Sequence, residues 1–163
     1  MAPEPDMTAL AARLRPTLDR HPADATASVM ICLRDGARGT EVLLCRRATR
    51  DGDPWSGHVG LPGGGVDSED EHALAAAARE TREEVGFDPL VAGEVLGSLA
   101  PLRPRTFPIV IAAYVARVDQ PVEIALSDEI AQAWWTPFAD LELVVADVPE
   151  SPARVSALRL PHA

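Results

Sequence analysis

Three glutamates, Glu80, Glu83 and Glu84, stand at positions i, i+3 and i+4 of the segment GVDSEDEHALAAAARETREEVGF, residues 65 to 87. On a helix such positions are surface neighbours, so three carboxylates crowd one face and repel each other. Stability alone disfavours that arrangement, and a compensating cation is expected. Carboxylate oxygens in this number suit a hard ion such as Mg²⁺, which keeps part of its water shell and binds substrate phosphates. A glycine-rich turn, Leu61-Pro62-Gly63-Gly64-Gly65, opens the segment. The competing reading is a solvated acidic helix face, in a chain with 25 Asp and Glu against 15 Lys and Arg.

The order of residues favours the first reading. Gly65, Glu71, Arg79, Glu80, Thr81, Glu83, Glu84, Gly86 and Phe87 fill the positions of a pattern in which Gly, Glu, Arg-Glu, Glu-Glu and Gly recur at fixed spacing. The segment resembles the Nudix box and departs from it only at Thr81, where the family more often has an aliphatic residue. A motif of this kind is meaningful in a turn-then-helix context, which the sequence supplies. The resemblance implies an α/β/α sandwich with a mixed sheet, the box helix packed beneath it, and pyrophosphate hydrolysis dependent on Mg²⁺ or Mn²⁺. By the same resemblance Glu80, Glu83 and Glu84 are metal ligands, and the backbone carbonyl of Gly64 adds an oxygen. Arg79 orients a box carboxylate through a bidentate pair. Glu71 is either a water-mediated ligand or a stabiliser of the helix N-terminus. A further acid is expected from a later loop: Glu129, in Ser127-Asp128-Glu129-Ile130, as ligand or general base, with Asp128 and then Glu94 as alternatives.

Substrate choice rests on residues upstream. Leu43-Leu44-Cys45-Arg46-Arg47-Ala48, then Gly57 and Leu61-Pro62-Gly63-Gly64, resemble the signature of coenzyme A diphosphatases, with Leu61 for Phe, Ala48 for Ser, and Asp53 at the expected Arg spacing. An insertion could make Arg50 the equivalent. Arg46 and Arg47 are the residues placed to hold substrate phosphates. The implied reaction releases 3′,5′-ADP and a phosphopantetheine from coenzyme A or its thioesters. The alternatives are hydrolysis of oxidised or ordinary nucleoside triphosphates or of ADP-ribose, and a catalytically silent nucleotide sensor, against which the intact carboxylate set argues.

Composition bounds the partners. The formal charge of −10 carries no basic patch, so a general nucleic-acid binder is not expected. Bound metal and a few arginines can still invert the field within a cleft and admit a polyanionic small molecule. Two cysteines, Cys32 and Cys45, are too few for a disulfide scaffold and lack partners for a zinc site, so buried thiols are expected. No signal-like or membrane-spanning stretch is evident, and a cytoplasmic location is expected. A homodimer is permitted without being indicated.

These residues need a scaffold. At 163 residues the expectation is one domain. The core of the resemblance covers about 26–142, with an N-terminal helix and a C-terminal tail outside it. Residues 7–20 have helical spacing interrupted by Pro16. Strands are expected at 27–33, 41–45, 58–61, 93–99, 109–118 and 131–135. The box helix is expected from about Glu69 to Val85, with Gly86 as its C-cap, and a short helix at 137–141. The tail beyond Val148 reads as loose chain or a weak helix at 154–160.

Overall fold

The computed structural model describes residues 6–105, 107–147 and 154–159. Helix α1, Met7–Leu14, begins at Asp6, whose carboxylate accepts hydrogen bonds from the N–H groups of Thr8 and Ala9. Pro16 cannot donate an N–H to the helix ladder, and the chain tightens there into a 3₁₀ turn, Arg15–Thr17. Strands β1, Ala27–Gly36, and β2, Gly39–Arg47, form an antiparallel hairpin closed at Gly36 and Gly39. Both run further than the apolar pattern suggests, because pairing continues through the polar turn.

The segment expected as one strand at 58–61 is two. β3, Val59–Gly60, pairs with the end of β2, and β4, Gly63–Gly65, pairs with Ala27–Val29 at the start of β1. Pro62 lacks the donor a continuous ladder needs and stands between them. The box helix α2 spans Ala73–Val85, four residues shorter at its start than the pattern predicts. Residues 67–70 instead form a turn in which the Asp67 N–H donates to Asp70, and His72 takes an extended backbone as N-cap. The helix ends as expected at Gly86, whose φ of +85° is left-handed.

β5, Gly93–Ser98, β6, Ile111–Val118, and β7, Ile130–Pro137, complete a seven-stranded sheet. Its main order is β3-β2-β1-β6-β5, with β4 also on β1 and β7 on β2. β1 and β6 are parallel and the other pairs antiparallel, so the sheet is mixed. The short helix expected at 137–141 is a single 3₁₀ turn, Phe138–Asp140. The tail differs more. Instead of a helix, Arg154–Arg159 forms β9, paired antiparallel with β8, Glu142–Asp147. Read alone, 154–159 has no strong strand pattern; the ladder comes from its partner across the sheet. The rest of the expected tail, 148–153 and Leu160, lies outside the described residues.

Strand alternation sorts the core into two layers. Met30, Cys32, Leu43, Cys45, Tyr114 and Ala116 face α2, where Ala73, Ala77 and Ala78 allow close approach. Leu33, Val42, Leu96 and Val115 face α1 through Met7 and Leu14. Helices on both faces of a mixed sheet make the expected α/β/α sandwich. Both cysteines are free and buried, and burial pushes each thiol up to about 12. Thr81 also packs inside, its hydroxyl donating to the Ala77 carbonyl at 2.7 Å, so the one departure from the family pattern costs no unpaired polar group.

The cap of α2 is itself a histidine. His72 Nδ1 accepts from the Ala75 N–H at 3.2 Å, and its ring stacks on His21, centroids 4.1 Å apart. His21 in turn meets the Tyr114 hydroxyl at 3.0 Å. Burial, then the neighbouring His72, holds His21 below its usual pKa. Its neutral form is therefore favoured in the fold, and this contribution is lost as pH falls below about 6.5, the unfolded value. His72→Ala should cost roughly 1 kcal/mol through the lost cap. It should also flatten the fall of melting temperature between pH 7 and pH 5, measured by thermal denaturation.

Candidate active site

The glycine strand and the box helix face each other. The Gly63 N–H donates to Glu84 Oε2 at 3.0 Å, tying β4 to the last turns of α2. A Cβ on Gly63 would collide with the Ser28 carbonyl oxygen, which is why the backbone can approach β1 only as glycine. Gly64 lies over Glu80: a Cβ there would stand 2.5 Å from the Glu80 carboxylate carbon. Gly64→Ala should therefore displace Glu80. Because the obstructed group is the end of a flexible side chain, the melting temperature should change little while turnover falls at least tenfold, read by steady-state assay beside a thermal melt.

The three box glutamates are not equivalent. Glu84 is buried, at 5% exposure, Glu80 has an 18% exposed side chain, and Glu83 is half exposed at 55%. Desolvation raises the Glu80 carboxyl, against the pull of Arg79. Desolvation also pushes Glu84 up to about 7, opposed by the Gly63 N–H and reinforced by the charge of Glu80. Two acids a helical turn apart, both deprived of water, are neutralised either by protons or by a cation. Arg79 supplies part of the positive charge. Its guanidinium donates to both oxygens of Asp70 at 3.1 and 2.9 Å, to Glu80 at 2.8 Å, to Glu83 at 3.3 Å and to the Gly65 carbonyl at 3.0 Å. The bidentate partner is Asp70 rather than a box carboxylate, and sequence reasoning did not single Asp70 out. Its spacing from Arg79, nine residues, is too long for a helix pair, and only the turn before α2 brings it near.

Arg79 reaches Glu80 and Glu83 but makes no bond to Glu84. Among the described residues no three Asp, Glu, His or Cys side chains are grouped as they stand to hold a metal ion; Glu80, Glu83, Glu84 and the Gly64 carbonyl are oxygen donors of the chemical kind Mg²⁺ takes. Glu71 is exposed and sits one residue before the cap, outside the helix.

Glu129 also comes close: its charge raises the Glu84 carboxyl, whereas that of Arg47 lowers it. The loop carrying Glu129 is fixed by backbone bonds. The N–H groups of Ala125 and Ser127 donate to the carbonyls of Val85 and Glu84 at 3.0 and 3.1 Å, and the Ala48 N–H donates to Glu129 O at 2.8 Å. Neither alternative is among the charges that shift the Glu84 carboxyl, although Arg50, which holds Asp128, also stands 4.0 Å from Glu129. Asp128 is almost fully exposed and pairs with Arg50 at 3.1 Å. Glu94 pairs across to Arg117, at the far end of β6 from the glycine strand.

Arg46 and Arg47 stand at a register shift in the pairing of β2 with β7, and their surroundings differ. Arg47 pairs with Asp53 at 3.3 Å. Arg46 lines a cleft of about 490 Å³ with Leu126, Gln132 and Trp134. The Nε atoms of both are buried and without a partner among the described residues.

A model of the NUDIX domain matches residues 24–158, most of the chain. The chain belongs to the Nudix family. The match spans β8 and all but the last residue of β9. The chain is 37% identical over 116 residues to a peroxisomal coenzyme A diphosphatase, ndx-8, of Caenorhabditis elegans, covering 69% of this chain and 49% of that protein. Across three such relatives it spans between 26% and 49% of their length. The fold is similar to an Ap4A hydrolase of C. elegans, with a TM-score of 0.58, 24% identity, and coverage of 70% and 81% of the two chains. It is equally similar to the NUDIX domain of Shewanella oneidensis NrtR, solved with ADP ribose, with a TM-score of 0.58 at 21% identity, covering 82% and 84%. At these identities the two structures speak to fold alone.

Proposed function

We propose that this Nudix domain hydrolyses the pyrophosphate link of a nucleoside diphosphate joined to another moiety, with coenzyme A or its thioesters as substrate. The observation that carries the hydrolytic reading is the pair of desolvated acids, Glu80 and Glu84, facing a glycine strand whose backbone leaves room for them. The likeness to a coenzyme A diphosphatase over two thirds of the chain supports the choice of substrate. So does Arg47 on β2, whose charge reaches Glu84.

Glu80, Glu83, Glu84 and the Gly64 carbonyl would hold Mg²⁺ or Mn²⁺. Such an ion, when bound, lowers the pKa of water and neutralises phosphoryl oxygens. The chain's own residues do the rest. Arg79 holds Glu80 and Glu83 in register from one side, and the Gly63 N–H holds Glu84 from the other. Glu129, on a loop pinned to α2, receives the proton of the attacking water, as a positioned carboxylate can. Arg47 is placed to bind a phosphate beside Glu84, while Arg46 lines the cleft with Leu126, Gln132 and Trp134. Water oxygen bonds to phosphorus, the bridging P–O bond breaks, and the leaving phosphate keeps the electron pair. The products are 3′,5′-ADP and phosphopantetheine.

Incubation with coenzyme A and Mg²⁺ or Mn²⁺, followed by mass spectrometry, tests this directly. Release of those two products is expected. Coenzyme A left intact while a nucleoside triphosphate or ADP-ribose is cleaved would move the substrate and keep the chemistry. Binding without turnover across a broad diphosphate panel would leave a sensor in place of an enzyme.

A further inference from the structure

Two loops carry large aromatic rings into solvent at the same end of the sheet. Trp55, between β2 and β3, is 45% exposed, and Phe107, between β5 and β6, is 49% exposed. Their ring centroids lie 5.7 Å apart at an interplanar angle of 59°. His58 meets the Trp55 ring edge-on at 5.8 Å. Single exposed apolar residues are ordinary, but three contiguous rings drawn from distant parts of the chain form a patch.

The patch lies at the same end of the sheet as the candidate active site. Trp55 precedes β3, which pairs with Cys45 and Arg46 and leads within a few residues into the glycine strand. Phe107 precedes β6, whose first residue, Ile111, pairs with Ala27, and Ala27 pairs on its other side with Gly65. Both loops therefore open at the sheet end where β4 faces α2. The first is also braced. Trp55 N–H donates to Asp53 Oδ1 at 2.9 Å, Ser56 Oγ bonds both the N–H and the carbonyl of Arg50, and Asp53 accepts from Arg47 at 3.3 Å. A loop tied in this way presents the indole ring in a set place.

We infer that Trp55 and Phe107, edged by His58, form a platform that receives the purine ring of the substrate. The inference rests on the nucleotide reading proposed above. Two observations select this occupant over a generic apolar partner. The rings offer π-faces, to which any base can stack. Arg47, in the strand end leading into the Trp55 loop, supplies positive charge beside the carboxylates with its Nε unpaired, which suits the phosphate that a base carries with it.

Calorimetric titration separates ring from phosphate. The probes are 3′,5′-ADP, which has a purine and no anhydride, and inorganic pyrophosphate, which has the anhydride and no purine, each with Mg²⁺. Trp55→Ala and Phe107→Ala should each weaken 3′,5′-ADP by about 5- to 150-fold, the contribution of one base–aromatic stack. Pyrophosphate should stay within about twofold, and Trp55→Phe should restore most of the loss. Equal weakening of both probes would overturn the inference, and so would unchanged 3′,5′-ADP binding. Wild-type protein that binds 3′,5′-ADP no better than pyrophosphate would also overturn it. A dimer that becomes a monomer in Trp55→Ala, with both affinities kept, would give the patch to a second copy instead. Ring-dependent binding in a protein that leaves coenzyme A uncut keeps the platform and removes the substrate assignment; cleavage that ignores both aromatic variants does the reverse.

Discussion

Glu84→Gln should abolish turnover by several orders of magnitude and at the same time make the protein more stable. The carboxyl of Glu84 is pushed up to about 7 in the fold, from about 4.5 in an unfolded chain, chiefly by burial. A carboxyl raised in this way favours the neutral form in the folded state. Its penalty is absent below about pH 4.5, grows between pH 4.5 and 7, and is complete above pH 7. At 1.36 kcal/mol per pKa unit the full penalty is on the order of 3 kcal/mol. Glutamine keeps an acceptor for the Gly63 N–H and carries no charge, so the variant should recover that amount above pH 7 and nothing near pH 4. Denaturant melts in EDTA at several pH values measure it. A variant as active as wild type, or one no more stable at pH 8, would show that Glu84 is an ordinary solvated acid.

The second large effect has the opposite sign in stability. Arg79→Met removes the only cation that bonds Asp70, Glu80 and Glu83 together among the described residues. The Asp70 side chain, part-buried and held below the usual carboxylate range by that guanidinium, would be left without its partner. Losing charge-assisted hydrogen bonds at a part-buried carboxylate costs about 1.5–3 kcal/mol. Activity should fall by at least a hundredfold, because Glu80 and Glu83 lose the group that aims them. Arg79→Lys should restore part of the stability, since one ammonium cannot make the fork to both Asp70 oxygens. Combining Arg79→Met with Asp70→Asn should recover stability without recovering activity, and a double-mutant cycle on both readouts distinguishes the two roles.

How much of this was legible in the sequence depends on the distance over which each element is determined. The box helix, its Gly86 cap and the three glutamates follow from spacing within one segment, and they stand where the spacing puts them. The two-layer core follows from alternation in β1, β2 and β6, which is also local. What pattern reading missed needs a partner remote in sequence. β9 exists by pairing with β8, and helical tendency at 154–160 gave way to that ladder. The start of α2 moved to Ala73 because Asp70 is held in a turn by Arg79, a contact no propensity encodes. Asp70 itself carried no signal beyond its charge.

The backbone bonds from Ala125 and Ser127 to the last carbonyls of α2 have a consequence for how this chain can vary. They splice two acidic segments, separated by some forty residues of β5, β6 and their loop, into one hinge-free chassis. Lengthening a connection on the β5–β6 side adds only slowly to closure entropy. The intervening loop can therefore be exchanged, and with it whatever it recognises, while the separation between Glu84 and the Glu129 segment is conserved. Gly86 guards the splice: a Cβ there would stand 2.7 Å from that of Ala125, so a single methyl group at this glycine would pry the chassis open.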